Sequence, residues 1–204
     1  MAAATYGSNK NSRYGRSRAR RRALAIGLLV FTLVVALVPF LFRAPDAVRR
    51  TTHPLEYEAG IRQAGEEFGV EPTLIAGVVY AESRFGHESE SVKGAYGLMQ
   101  ILPSTADFIS ERSGIEGDYR DPETNLRMGA WYLNYLDGRY LGDERLMLAA
   151  YNSGEGRVDG WLQDEGFDVR RDIPFQETRQ YVVDVLEAQK EYEELYGRDL
   201  DRRS

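Results

Sequence analysis

From Leu55 onward, apolar residues recur at the spacing of a helix face rather than at the every-second-residue alternation of a strand. Leu55 to Phe68 predicts a first helix, stopped by Gly69. Glu71-Pro72 opens a second, with proline at an early position where its missing N–H costs nothing. Within it Leu74, Ile75, Val78 and Val79 share one face. Gly86 to Gly97 reads as irregular, followed by Leu98 to Leu102 as a short helical piece. Pro103-Ser104-Thr105 starts another helix that reaches about Arg112. Asp121-Pro122-Glu123 combines an N-cap, a proline and an acidic first turn. It predicts a helix to about Leu136, with Leu126, Met128, Ala130, Trp131 and Leu133 available for packing. Asp143 to Tyr151, Gly156 to Gln163 and Gln176 to Tyr196 complete the set, the last burying Tyr181, Val182, Val185, Leu186 and Ala188. Gly197 to Ser204 reads as a frayed tail. With no strand pattern and no internal repeat, the expected fold class is all-α.

Upstream the pattern changes. Ala23 to Phe42 is a run of 20 residues without a charge. As a helix it spans roughly 30 Å, the thickness of a bilayer core. Seven basic residues precede it (Lys10, Arg13, Arg16, Arg18, Arg20, Arg21 and Arg22), whereas Arg43, Arg49 and Arg50 are the basic residues that follow closely. The positive-inside rule places the N-terminus in the cytoplasm and the helical part outside. A cleaved signal peptide has a shorter apolar core, ~7–15 residues, and a small-residue cleavage site. Phe40-Leu41-Phe42-Arg43 is a poor cleavage context, so an uncleaved signal anchor is the expectation. The expected organisation is a basic cytoplasmic tail over 1–22, a transmembrane anchor over 23–42, a linker over 43–54, a helical domain over 55–196 and a flexible tail over 197–204. The linker reaches at most ~40 Å. It would hold the domain near the outer face of a cell membrane crossed once.

Charge adds a second division. Residues 1–50 hold ten Lys and Arg against Asp46 alone, a net of +9, while residues 51–204 hold 16 basic and 31 acidic residues, a net of −15. A domain this acidic is a poor nucleic-acid binder, because neutralising phosphates needs Lys and Arg. The absence of cysteine excludes disulfides, thiolate metal sites, a cysteine nucleophile and a lipid-modified cysteine. With His53 and His87 as the two histidines, a histidine-rich metal site is not expected.

The candidate chemistry lies between Glu82 and Gln100. Leu74, Val78 and Glu82 are four apart, so the carboxylate continues an apolar stripe. Partial desolvation there raises its pKa towards the range of a general acid at neutral pH. Gly94-Ala95-Tyr96-Gly97 allows tight turns close to a ligand. Met99 and Gln100 offer an apolar contact and an amide suited to a sugar hydroxyl or acetamido group. A phosphate-binding loop does not fit, because no GK[ST] follows and no strand precedes. Ala150-Tyr151-Asn152-Ser153-Gly154 ends a helix with an aromatic, an amide and a glycine; alone it would be an ordinary C-cap.

Four motifs stand in order: Glu82-Ser83, then Gly97-Leu98-Met99-Gln100-Ile101, then Ala150-Tyr151-Asn152 with Gly154, then Glu177-Thr178-Arg179-Gln180-Tyr181-Val182. Together they resemble the SLT-type lytic transglycosylase family of lysozyme-like domains, over roughly Leu55 to Tyr196. The resemblance implies a lysozyme-like helical domain acting on peptidoglycan glycan strands between N-acetylmuramic acid and N-acetylglucosamine. It implies Glu82 as the single catalytic acid and base. Ser91 matches a serine near that glutamate in some members, and Met99 and Gln100 match residues lining the glycan cleft. Tyr151 and Asn152 match the aromatic and amide beside the glutamate, and Tyr181 a tyrosine on the far wall. Gly86-His87 stands where the family often has Asn-Pro, and Ser153 replaces a commoner small residue. Glu88 and Glu90 are candidate second carboxylates, but an exposed acidic loop is the favoured reading of them. The implied mechanism needs no metal and no organic cofactor. A muramidase of the same fold and a non-catalytic peptidoglycan-binding scaffold are the alternatives.

Overall fold

The computed structural model describes residues 31–32 and 46–200. The basic tail 1–22, the apolar run 23–42 apart from Phe31 and Thr32, and residues 201–204 lie outside them. Among the described residues no helix is long and apolar enough to cross a membrane. The chain divides into two compact units, 1–49 and 50–204.

Eight helices are described in chain order: α1 (Asp46–Thr52), α2 (Glu58–Phe68), α3 (Pro72–Ser83), α4 (Pro103–Ser113), α5 (Pro122–Arg139), α6 (Glu144–Ser153), α7 (Glu155–Trp161) and α8 (Gln176–Leu200). The predominantly all-α expectation holds. The punctuation residues act as their chemistry dictates. Gly69 ends α2 at φ +70°, and Asp121 caps α5 by accepting from the N–H groups of Glu123 and Thr124.

The centre of the second unit is α3. Every residue from Thr73 to Val79 is buried, so this helix has no solvent face along that stretch. Its principal neighbour is α8, while α2 also packs on it. In turn α5 packs on α2, and α6 bridges α5 and α8. The close approach of α3 and α8 depends on Gly77. A Cβ there would lie 2.9 Å from the Gln189 backbone nitrogen and 3.0 Å from the Val185 carbonyl oxygen.

Three expectations are corrected. The stretch expected as linker contains α1, which opens on an acidic residue and carries Arg49 and Arg50 towards its end, in line with the helix dipole. The chain after α1 is also tied to α8: Tyr192 donates to the Pro54 carbonyl (2.9 Å) and Tyr196 to that of His53 (2.9 Å). Second, α8 runs on to Leu200 instead of fraying at Gly197. Leu195, Tyr196 and Leu200 are all buried, and the Arg50 guanidinium lies 4.3 Å from the centre of the Tyr196 ring. Third, Leu98 to Leu102 is not helical. Gly97 at φ +83° and Gln100 at φ +47° interrupt any helix. Tyr96 and Ile101 instead exchange a reciprocal pair of backbone hydrogen bonds, each 3.0 Å, in a tight hairpin.

The Gly77 contact yields a test. Gly77→Ala should destabilise the fold by about 1–3 kcal/mol, because an added methyl meets backbone that cannot swing aside. Chemical denaturation of the full chain measures it, and unchanged stability would mean that α3 and α8 tolerate separation.

Candidate active site

Glu82 sits in the last turn of α3. The helix stops because Arg84 and Phe85 both adopt left-handed backbone, φ +49° and +65°. Such residues are strained by ~1–2 kcal/mol each. Burial of Phe85, with its ring 5.9 Å from that of Tyr192, holds the reversal in place. Ser83 reaches the Leu98 carbonyl through its hydroxyl (2.8 Å) and so joins the helix end to the hairpin.

The hairpin is held from below by Asn125, a fully buried polar residue of α5. Its Oδ1 accepts from the Met99 N–H (2.8 Å), and its Nδ2 donates to the carbonyls of Tyr96 (3.0 Å) and Tyr119 (2.8 Å). The glycine at 97 is required twice over. Its φ is +83°, and a Cβ would come within 2.6 Å of the Asn125 amide.

Tyr151 of α6 closes the other side, its hydroxyl donating to the Met99 carbonyl (2.9 Å). Beside it, Asn152 accepts from the hydroxyl of buried Thr178 on α8 (2.9 Å), and among the described residues no group accepts from the Asn152 amide protons. Tyr181, one turn along α8, is buried, and among the described residues its hydroxyl finds no hydrogen bond of ordinary geometry.

These groups converge electrostatically on Glu82. Glu82 as a residue retains intermediate exposure, so part of it opens to solvent, whereas protein crowds its carboxyl group. The crowding governs protonation: desolvation raises the pKa from 4.5 to about 7. Tyr181 opposes this by favouring the carboxylate. Its contact is too loose for a well-formed hydrogen bond, so burial wins. The same carboxylate, added to burial, pushes the Tyr151 and Tyr181 hydroxyls well above the usual tyrosine range. A carboxyl with a pKa near 7, flanked by two neutral phenols, can give up and take back a proton at neutral pH.

The structure brings Glu82, Tyr151 and Tyr181 together, with Asn152 next in line. It places the remaining expected residues differently. The Met99 side chain is fully buried and packs on Gly129, where a Cβ would come 2.2 Å from its sulfur, so the main chain of Met99 is what meets Tyr151. Gln100 uses its Nε2 to hold the hairpin, donating to the carbonyls of Ser89 (2.9 Å) and Gly97 (3.0 Å), and keeps its Oε1 as an acceptor. Ser91 closes the tip of the loop, its Oγ accepting from the Ala95 N–H (3.0 Å). Glu88 and Glu90 are exposed.

Three residues that the sequence reading passed over prove central: Asn125, Thr178 and Tyr132. A signal existed for Asn125, which stands four residues before Gly129 and eight before Leu133, a polar interruption in a packed helix face. Thr178 had none beyond its place in the fourth motif. Tyr132 meets Tyr151 ring to ring at 5.6 Å.

The fold and the site define a helical domain with a desolvated carboxyl beside a glycine hairpin and two tyrosine-bearing helices. The family model for the transglycosylase SLT domain matches residues 60–173, more than half of the chain. The chain belongs to that family. Its fold is that of solved members: the 70 kDa soluble lytic transglycosylase of Escherichia coli aligns with a TM-score of 0.69 at 31% identity, over 73% of this chain and 26% of that one. An inactive mutant of lytic transglycosylase Slt from Pseudomonas aeruginosa gives 0.67 at 33%, over 72% of this chain and 25% of that one. Among curated relatives, the soluble lytic murein transglycosylase of Escherichia coli K12 is 32% identical over 71% of this chain and 24% of its own length. Membrane-bound lytic murein transglycosylase C of Actinobacillus pleuropneumoniae is 34% identical over 50% and 32%. The chain thus spans about a quarter to a third of the length of these relatives.

The raised pKa has a stability consequence with a definite sign. Below the unfolded value of 4.5 the carboxyl is neutral in both states and costs nothing. As pH rises from 4.5 the unfolded carboxyl ionises while the folded one stays protonated, so stability falls until about pH 7, where the folded protein takes on the desolvated charge and the loss is complete. Glu82→Gln should therefore match the parent in stability at pH 4 and exceed it above pH ~8 by up to roughly 3 kcal/mol. Thermal melting of both proteins across that pH range checks this.

Proposed function

We propose that the chain is a membrane-anchored peptidoglycan lytic transglycosylase with Glu82 as sole general acid and base. The observation that carries this reading is the Glu82 carboxyl in the last turn of α3, crowded by protein and flanked by Tyr151 and Tyr181, where desolvation raises its pKa to about 7. Protonated Glu82 would donate to the oxygen of the β-1,4 bond between N-acetylmuramic acid and N-acetylglucosamine. The resulting carboxylate would then take the proton from the muramyl 6-hydroxyl as that oxygen closes a 1,6-anhydro ring. No water is consumed.

Most glycosidases flank the bond with two carboxylates. Here Glu88 and Glu90 are exposed, and Glu82 is the carboxylate that perturbs both site tyrosines. One acid suffices if the sugar supplies the nucleophile. The Asn152 amide protons and the Gln100 oxygen are suited to hydroxyl and acetamido groups in the cleft. Relatives named lytic murein transglycosylases support the substrate class.

Anchoring forms part of the same proposal. The uncharged run 23–42 crosses the membrane with seven basic residues on the cytoplasmic side, and the SLT domain lies outside, within reach of the wall.

Glu82→Gln should stay folded and lose glycan cleavage by about 10²–10⁴-fold. Mass spectrometry of digested peptidoglycan reads both rate and product. Anhydro-muramyl ends support the ring-closing reaction; reducing muramyl ends, heavier by one water, would replace it with hydrolysis. The parent enzyme's rate should decline as pH rises past about 7, where the acid form of Glu82 is lost. A rate that climbs through that range would overturn the acid assignment.

A further inference from the structure

A row of aromatic side chains leaves the site along α5, packed against the core on one side, partly open on the other and not used by the proposed reaction. The core side of α5 is formed by Leu126, Met128, Leu133 and Leu136. Trp131, Tyr132 and Tyr135 are only half-buried, on positions where a solvated helix would carry charge. The row begins at Tyr151, whose ring lies 5.6 Å from Tyr132, and continues to Tyr135 at 6.0 Å and Trp131 at a further 5.5 Å. Phe108 of α4 packs edge-on against all three α5 rings, 5.4 Å from Tyr135, 6.2 Å from Tyr132 and 6.3 Å from Trp131, with the Arg112 guanidinium 4.5 Å from its ring centre.

The geometry is that of a staircase. Tyr132 and Tyr135 are within 11° of parallel, and Tyr135 and Trp131 within 7°. Rings in full face contact sit about 3.5–4 Å apart. Parallel rings at larger centre-to-centre distances are offset, so each leaves part of a face uncovered. Among the described residues no protein group hydrogen-bonds the Tyr132 or Tyr135 hydroxyl or the Trp131 indole N–H, and none of the three is sealed from solvent. Flat apolar faces with free polar edges suit a pyranose, which offers C–H groups on its face and hydroxyls at its rim.

We propose that Trp131, Tyr135 and Phe108 form a distal subsite on which sugar units of the glycan strand stack beyond those at Glu82. This rests on the glycan reading above and deepens it. The shelf gives the enzyme a preference for long strands over short ones. Continuity argues for the occupant: Tyr132 contacts the site tyrosine at one end and the shelf at the other, so a strand leaving the cleft on that side meets the rings.

The test uses the full chain carrying Glu82→Gln, so that binding is read without turnover. Affinities for β-1,4-linked N-acetylglucosamine trimer and hexamer are measured by calorimetry, and the hexamer should bind more tightly. Adding Trp131→Ala should shrink the hexamer-to-trimer affinity ratio by about five- to tenfold, the scale of one aromatic contact. Trp131→Phe should restore most of it. Tyr135→Ala provides a second deletion should Trp131→Ala melt early. An unchanged ratio in folded Trp131→Ala and Tyr135→Ala overturns the shelf and leaves the glycan reading intact. Equal weakening of trimer and hexamer also overturns it, because the rings would then support the cleft rather than a distal unit. If the parent neither binds the oligomers nor cleaves peptidoglycan, both the shelf and the glycan reading fail.

Discussion

A helix buried on every side dictates this fold. From Thr73 to Val79, α3 has no residue it can turn to water, so other helices must surround it. The long helix α8 does most of that covering and comes close enough that Gly77 has backbone against it. The demand eases from Tyr80 onward, where α3 becomes partly exposed, and the helix ends at Glu82 and Ser83. The carboxyl is therefore the first carboxylate beyond the buried stretch, delivered to the edge of the core by the helix that defines it.

Around that group the architecture is a set of ties between distant stretches. Ser83 holds the hairpin to α3, Asn125 holds it to α5, and Tyr151 holds it to α6. Asn152 and Thr178 join α6 to α8. Each tie satisfies a buried polar group that would otherwise lose its hydrogen bond to water, at a cost of about 1–3 kcal/mol apiece. Glu82 is the exception. Its one favourable protein contact is loose, so it meets desolvation by holding a proton more tightly. In the proposed reaction that proton is the reagent.

Much of this was legible in the chain because it is locally encoded. Gly69, Pro72, Asp121 and Asp143 mark helix ends through their own backbone or side-chain chemistry, and the structure uses each for that purpose. Glu82 was visible because a carboxylate stood in register with Leu74 and Val78. What escaped is non-local. The extension of α8 to Leu200 depends on Arg50, His53 and Pro54, nearly the whole domain away in sequence. The residue types at Leu98–Leu102 suit a helix, but the left-handed backbone at Gly97 and Gln100 and the pull of Asn125 make a hairpin. Met99 looked like a cleft residue because its neighbours are; only the packing against Gly129 shows its side chain turned inward.

The left-handed pair Arg84-Phe85 does more than end a helix. By stopping α3 one residue after Glu82, it leaves the acid in the last turn of that helix, the end at which aligned peptide dipoles concentrate about half a negative charge. That partial charge opposes ionisation in the same direction as burial does. The backbone stop thus acts as an electrostatic setting as well as a geometric one. A variant chain that carried α3 one turn further would move that negative end beyond the carboxyl, and would at the same time draw Phe85 out of its packing against Tyr192.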